Sequence, residues 1–327
     1  MINYIIRRLL AMIPLFFLVS VATFVIIQLP PGDYFTVLQA EIAETGGGQD
    51  ARTFELLRLR YGLDEPVWVQ YLRWIQGWPE GDFGWSLEWN SPVWPLISKK
   101  LGYTVLLGVF SLVITVSYAI PAGIFTSTHQ YSFSDNLLSF FGFLALSLPG
   151  FLLALLWLIV GALILRIDVT GVQSSEFADQ PLSAAKLLDY WNHFWPPALI
   201  LGLASTAQLQ RIMRSSMLDV MGQQYITTAR AKGLKERTVV NKYGVRVAIN
   251  PLISVLALEI PKIISQSALV GIVMALPTLG PLLLRALTTQ DMYLAGTILL
   301  FMTILLMLSN LLADILLAWA DPRIVFD

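Results

Sequence analysis

Charge and cysteine are both scarce in this sequence, and each shortage limits what the protein can be. Only 13% of its 327 residues are Asp, Glu, Lys or Arg, whereas 56% are hydrophobic. Soluble domains carry roughly a quarter charged residues, so the composition predicts an integral membrane protein. The absence of cysteine excludes disulfide bonds, thiolate catalysis and cysteine-based metal sites.

Catalytic and metal-binding motifs are missing as well. The sequence has no Gly-x-x-x-x-Gly-Lys-Ser/Thr motif for the phosphates of ATP and no Gly-x-Ser-x-Gly motif of a serine hydrolase. Its two histidines, His129 and His193, fall in different loops, where we expect both to be solvated on opposite sides of a membrane. Two such distant imidazoles favour neither a metal site nor a Ser–His pair, so no catalytic residue and no bound metal are expected.

Long apolar runs dominate the rest of the chain. They cover residues 9–29, 102–125, 137–165, 196–217, 247–276 and 293–320. About 20 residues suffice for a helix to cross a bilayer, and the first run exceeds the roughly 7–15 apolar residues of a cleaved signal peptide. The sequence therefore predicts one all-α polytopic membrane domain over residues 1–327 with six transmembrane helices.

Residues 30–101 form the longest polar stretch, with ten acidic and six basic side chains. We predict a sizeable extracytoplasmic segment there, with short helices over 51–61 and 67–76. Six tryptophans crowd this segment, at positions 68, 74, 78, 85, 89 and 94. Because tryptophan is enriched at membrane interfaces, the segment is expected to lie along the outer membrane surface; a ligand-stacking surface is the alternative.

The densest cationic stretch lies between the fourth and fifth runs. Residues 211–246 hold eight of the 21 Lys and Arg residues, opposed only by Asp219 and Glu236. Short loops of this kind stay in the cytoplasm, and six spans would place both termini on that side too. Residues 227–232 favour a helix, Gly233 can end it in a left-handed conformation, and 235–247 can form a second helix. The resulting compact cationic structure either docks on a partner protein or only determines the orientation of the chain in the membrane.

Two apolar runs contain polar interruptions that are candidates for a translocation pathway. Ser147, Pro149 and Gly150 interrupt the third run, and freed backbone groups there need protein or water as partners; the bend either lines the pathway or is a packing kink. Glu259 and Lys262 lie in the fifth run with i, i+3 spacing, so they can pair on one helix face. Intramembrane charges usually face the bundle interior or water, so the pair either lines the pathway or fixes helix rotation.

Several sequence blocks resemble the permease subunits of ABC importers for dipeptides, oligopeptides and nickel. Residues 228–234 (TARAKGL), followed by Pro251, are similar to the cytoplasmic "EAA" coupling loop of that family, although only Ala229 and Gly233 agree with the general consensus. The segments 61–74 and 81–86, and the tail 321–323, resemble further family blocks. Residues 274–280 resemble another, but Gly271 stands where the family usually has Glu.

The resemblance implies a type I ABC importer permease fold of the first-permease type and a transport subunit rather than an enzyme. Such a subunit serves an ATP-driven, solute-binding-protein-dependent importer and moves its solute by alternating access. Peptides are the first expectation for the solute, followed by oligosaccharides or opine-like molecules and then nickel. The coupling loop, residues 211–246, would contact the ATPase through Tyr225, Thr227, Thr228, Ala229, Arg230, Ala231, Lys232, Gly233, Leu234, Lys235, Glu236 and Arg237.

The same resemblance implies a set of partners and a location. The chain would pair with a second, homologous permease, two ATP-binding subunits and an extracytoplasmic solute-binding protein in a bacterial or archaeal inner membrane, and it would bind no nucleic acid. ATP and Mg²⁺ would sit on the ATP-binding subunits, so no cofactor is expected on this chain. The alternative is an ion-coupled secondary transporter or channel that uses Glu259 and Lys262 and works without ATPase subunits.

The coupling interpretation predicts that two substitutions abolish transport while the protein still inserts. Gly233→Pro would remove the left-handed corner, and Ala229→Glu would place a carboxylate on the docking face. The measurement is solute uptake by cells that express each variant at the wild-type level. Normal uptake by a fully expressed variant would contradict the interpretation.

Overall fold

The computed structural model describes residues 2–44, 51–177, 180–181 and 183–320. The first half of the chain forms α1 (Ile2–Ile27), α2 (Tyr34–Glu44), α3 (Ala51–Tyr61), α4 (Val67–Gly77), β1 (Trp85–Ser86), β2 (Ser91–Pro92) and α5 (Val93–Thr128). The second half forms α6 (Phe133–Ser147), α7 (Gly150–Ile159), α8 (Ala184–Met221), α9 (Gln224–Ala231), α10 (Glu236–Thr238), α11 (Arg246–Ala248), α12 (Asn250–Val273), α13 (Leu279–Thr288) and α14 (Met292–Ala320). The tail block 321–323 lies outside the described residues.

The described residues are mainly helical, and their only sheet is the antiparallel pair of β1 and β2. Within the described part of the chain, three helices are long and apolar enough to cross a membrane: Ile5–Ile27 within α1, all of α5, and Met292–Leu312 within α14. The third predicted run is a broken pair, α6 and α7, which bends by 98° and would make a fourth span. Helices α8 and α12, of 38 and 24 residues, correspond to the fourth and fifth apolar runs.

Helix α8 begins well before its predicted start near residue 196. Ser183 caps it at Ala184, since the Ser183 hydroxyl accepts a hydrogen bond from the Lys186 N–H at 3.2 Å. His193 therefore lies inside a helix and is only 4% exposed, with its Nδ1 2.8 Å from the Asp189 carbonyl oxygen. The expectation that His193 is solvated in a loop was wrong, because the helical cap lies outside the apolar run.

The segment from α4 to β1 packs against the bundle through its aromatic residues. Trp74 is 3% exposed and stacks on Phe24 of α1 with ring centroids 5.4 Å apart. Trp78 contacts Phe83 and stacks on Phe301 of α14, with centroid distances of 4.9 and 5.8 Å. These two tryptophans thus form part of a packed core between α1, α4 and α14.

The β1–β2 hairpin is tied to the start of α14 by a buried carboxylate. Asp291 is fully buried and accepts hydrogen bonds from the Ser86 hydroxyl at 2.5 Å and from the Glu88 N–H at 3.2 Å. Burial raises the pKa of the Asp291 carboxyl. Glu88 also pairs with Arg285 of α13 at 2.7 Å. These contacts hold residues 85–92 against the α13–α14 junction.

Candidate functional site

The cationic stretch folds as a helix, a glycine corner and a second helical segment, which confirms the predicted arrangement. Gly233 follows α9 with φ of +74°. Its N–H donates to the Arg230 carbonyl at 2.9 Å, and the Leu234 N–H donates to the Ala229 carbonyl at 3.4 Å. This pair of bonds is the usual way in which a left-handed glycine ends a helix. We call residues 224–238, from α9 through α10, the elbow.

One ion pair crosses the corner of the elbow. Arg230 binds Glu236 through two hydrogen bonds, Nη2 to Oε1 at 2.7 Å and Nε to Oε2 at 3.1 Å. The hydrogen bond from Arg230 lowers the pKa of the Glu236 carboxyl, and the same contact raises the pKa of Arg230. Both side chains are largely exposed, so the pair fixes the geometry of the corner more than it adds to stability.

Apolar packing attaches the elbow to the bundle. Ile226 is 0% and Ala229 is 5% exposed, and both join a buried cluster with Val239, Met217 of α8 and Leu252 of α12. Fully burying a side chain of the size of isoleucine contributes about 1.5–3 kcal/mol. The sequence analysis missed Ile226, although its i, i+3 spacing to Ala229 marks one apolar face of α9.

The burial of Ala229 requires a correction to the set of docking residues. Its side chain points into the cluster, so it cannot form part of a docking face. An Ala229→Glu substitution would bury a carboxylate and disrupt the packing of α9 against α8 and α12. The other proposed coupling residues are exposed: Tyr225, Thr227, Thr228, Arg230, Ala231, Lys232, Gly233, Leu234, Lys235, Glu236 and Arg237.

The exposed surface of the elbow is strongly cationic. Arg230 is neutralised by Glu236, but Lys232, Lys235 and Arg237 form no ion pair within the described residues. Tyr225 and Leu234 add apolar area beside them, with 42% and 37% exposure. A protein surface that carries carboxylates around a small apolar patch would be complementary to this face.

The structure also pairs the two charges of the fifth run. Glu259 is fully buried, and it accepts one hydrogen bond from the Ser205 hydroxyl of α8 and another from Lys262 Nζ at 2.8 Å. The Lys262 side chain is 46% exposed. Glu259 therefore acts as a buried anchor between α8 and α12, whereas Lys262 presents its ammonium group at an open surface. No sequence pattern indicates Ser205, because its role depends on the packing of two helices that are distant in the chain.

The bend in the third run lies at Leu148 and Pro149. Both residues have extended backbone conformations, with ψ of 124° and 137°, and the Ser147 hydroxyl donates to the Phe143 carbonyl at 2.8 Å. A Cβ added at Gly150 would lie 3.6 Å from Val270 of α12. Ser147 is exposed, so the bend combines a packing contact on α12 with an open polar side chain.

The α6–α7 bend and the Glu259–Lys262 pair both involve α12, but they do not form one cluster. Val270 is eight residues beyond Lys262, which corresponds to roughly 12 Å along α12. Gly271, which replaces the usual family Glu, is required for packing, because a Cβ there would approach Pro281 Cγ within 2.7 Å. Among the described residues, no three His, Asp or Glu side chains are grouped to hold a metal ion.

Comparison with known proteins finds matches over nearly the whole chain. Residues 119–326 match the family described as "Binding-protein-dependent transport system inner membrane component". Residues 1–108 match its companion, "Binding-prot-dependent transport system membrane comp, N-term". The two matches confirm the resemblance that the sequence blocks indicated.

Curated relatives and one solved structure agree with these matches. The chain is 35% identical to the oligopeptide transport system permease protein AppB of Bacillus subtilis (strain 168), over 99% of both chains. It is 32% identical to the glutathione transport system permease protein GsiC of Escherichia coli (strain K12), again over 99% of both. An inward-facing structure of the MetNI methionine ABC transporter covers 69% of this chain and 96% of its own, with TM-score 0.51 and 16% identity. That likeness shows the fold alone.

The Glu259–Lys262 geometry predicts an asymmetric response to substitution. Lys262→Met leaves a buried carboxylate without its cation and should lower the free energy of unfolding by about 2 kcal/mol, less than for a fully buried pair because Lys262 is half exposed. Glu259→Gln/Lys262→Met removes both charges and should recover most of that loss. The measurement is thermal unfolding of the purified chain. A double variant no more stable than the single one would contradict the anchor role.

Proposed function

The chain belongs to the family of binding-protein-dependent transport system inner membrane components, and we infer that it is the permease subunit through which an ATP-driven importer moves its solute. It is a transport subunit, not the ATPase, and ATP is hydrolysed by separate subunits. Its relatives AppB and GsiC are named as permeases for oligopeptides and for glutathione. These names support a small peptide as the solute. Extracytoplasmic delivery by a solute-binding protein follows from the family.

Six spans are proposed for the membrane domain, with both termini and the elbow in the cytoplasm. Three apolar helices and the bent α6–α7 pair supply four of them, and the long helices α8 and α12 supply the other two. The cationic composition of residues 211–246 supports a cytoplasmic elbow. The polar segment 30–101 then lies on the outer side, where it would meet the solute-binding protein.

The elbow is the proposed contact for the ATPase. Two features of the elbow carry this proposal. Ile226 and Ala229 pack α9 against the bundle, and the other face of the elbow is exposed and cationic. Because this packing joins α9 to α8 and α12, a displacement of the elbow is transmitted to the helices of the bundle. ATP and Mg²⁺ would be held by the ATP-binding subunits, of which the complex would contain two together with a second permease.

Alternating access would then work through α7, α8 and α12. Glu259 joins α8 to α12 through Ser205, and the bend at Pro149 packs Gly150 against α12. We propose that Lys262 and Ser147, both exposed, face the pathway, while Glu259 and Gly150 hold the helices in position. ATP binding shifts the equilibrium only if the ATPase contacts the outward-facing and inward-facing states differently, which is the role of the elbow.

The ion-coupled alternative assigns the driving force to Glu259 and Lys262. In the structure both carboxylate oxygens of Glu259 are occupied by hydrogen-bond donors, and the carboxylate is fully buried. A group that exchanges ions with water needs access to them, so this arrangement favours a positioning role.

Charge reversal on the elbow tests the proposed coupling. Lys232→Glu/Arg237→Glu should weaken co-purification of the ATP-binding subunits by about tenfold or more, because like charges would then oppose the docking surface. Lys99→Glu, an equally exposed lysine near the start of α5, is the matched control and should retain the ATPase. The subunits are identified by mass spectrometry after mild solubilisation of native membranes. Transport by the purified chain alone in liposomes, with no ATPase recovered, would establish the alternative instead.

A further inference from the structure

A cavity of about 310 Å³ lies between α6 and α8, apart from the elbow and from the Glu259–Lys262 pair. Its lining is polar at one end and apolar at the other. Asn136, Ser139 and Arg214 line one end, and Gly142, Phe143, Leu146 and Ala207 line the other. The cavity is therefore amphipathic, with hydrogen-bond donors at one end and hydrocarbon at the other.

The polar end carries one positive charge that no protein group neutralises. Arg214 is paired with Asp135 at 2.8 Å. Arg211 forms no ion pair in the described part of the chain and instead lies over the Phe143 ring, 4.9 Å from its centroid. The charge of this end is thus that of Arg211, and a ligand bound here would be an anion.

A side-chain amide adds a second hydrogen-bonding group to the polar end. Gln210 lines the cavity and is only 5% exposed, yet its side chain makes no hydrogen bond to any described residue. The amide is accessible from the cavity and not sealed from solvent, so water or a bound molecule can complete its hydrogen bonds. Together with the hydroxyl of Ser139 and the guanidinium of Arg211, it would offer donors to the oxygens of one anionic group.

The polar end of the cavity lies on the same side of the bundle as the elbow. Asp135, near the start of α6, meets Arg214 in the last third of α8, which leads directly into α9. Arg211 is six residues before the predicted end of its apolar run, which is roughly 9 Å along the helix, and long arginine stems reach from such depths to the headgroup level. Phe140 and Phe141 on α6 are 60% and 54% exposed, as expected for a helix that faces hydrocarbon.

We propose that this cavity binds an anionic phospholipid of the cytoplasmic leaflet. The phosphate group would contact Arg211, Gln210 and Ser139, and the start of an acyl chain would lie along Phe143 and Leu146. Basic pockets between transmembrane helices on the cytoplasmic side are suited to acidic headgroups. Because α8 continues into the elbow, an occupied cavity would hold α6 against the helix that carries the ATPase contact. The proposal does not depend on the identity of the transported solute.

Native mass spectrometry of the purified full-length chain tests the proposal with two probes, phosphatidylglycerol and the zwitterionic phosphatidylethanolamine. The wild-type chain should retain phosphatidylglycerol about fivefold more strongly, which is the effect of one arginine near a membrane surface. Arg211→Gln should abolish this preference. Arg246→Gln, an exposed arginine of α11 outside the cavity, is the matched control and should preserve it.

A second variant tests the cavity without changing its charge. Gly142→Leu should fill the apolar end and reduce binding of both lipids, whereas Gly102→Leu, at an exposed helical glycine of α5 with open space around it, should not. Inorganic phosphate at millimolar concentration should leave the lipid bound. Equal retention of the two lipids by the wild-type chain, an unchanged preference in Arg211→Gln, or displacement of the lipid by free phosphate would each overturn the proposal.

Discussion

Apolar packing between α9 and the bundle holds the elbow in place and joins it to the membrane helices. The charges of the elbow are exposed, so salt screens them and they contribute little to its stability. Its position is fixed by Ile226 and Ala229 within the cluster formed by α8, α9 and α12. Without that packing, the cationic surface would be a mobile loop, and a force applied to it would not reach the helices.

Tight packing continues from this contact along α12 to the C-terminal end of that helix. Helix α12 meets α8 through Glu259 and Ser205, and α13 approaches α12 so closely that a Cβ at Gly280 would lie 2.5 Å from the Ala268 nitrogen. The Gly171 N–H donates to the Met274 carbonyl at 2.8 Å, just beyond the end of α12. Contacts of this kind form a contiguous physical route between the elbow and the residues that follow α12.

Much of this arrangement could be predicted from the order of residues, because the period of the apolar runs and the left-handed preference of glycine act locally. The long helices and the glycine corner at Gly233 are of this kind. Three features could not be predicted, since each depends on contacts distant in sequence. The cap at Ser183 lies in a polar stretch outside the apolar run, the burial of Trp74 depends on α1, and the inward orientation of Ala229 depends on α12.

Site-directed cross-linking can test whether the elbow contacts an ATPase subunit in the assembled transporter. The chain contains no cysteine, so Leu234→Cys and Lys99→Cys each introduce a single thiol into this subunit. In the assembled transporter, a short thiol-reactive photocross-linker should give an adduct of this chain with an ATP-binding subunit from position 234 and none from position 99. Failure to form that adduct at position 234 in a complex that hydrolyses ATP, or equal adducts from both positions, would contradict the account.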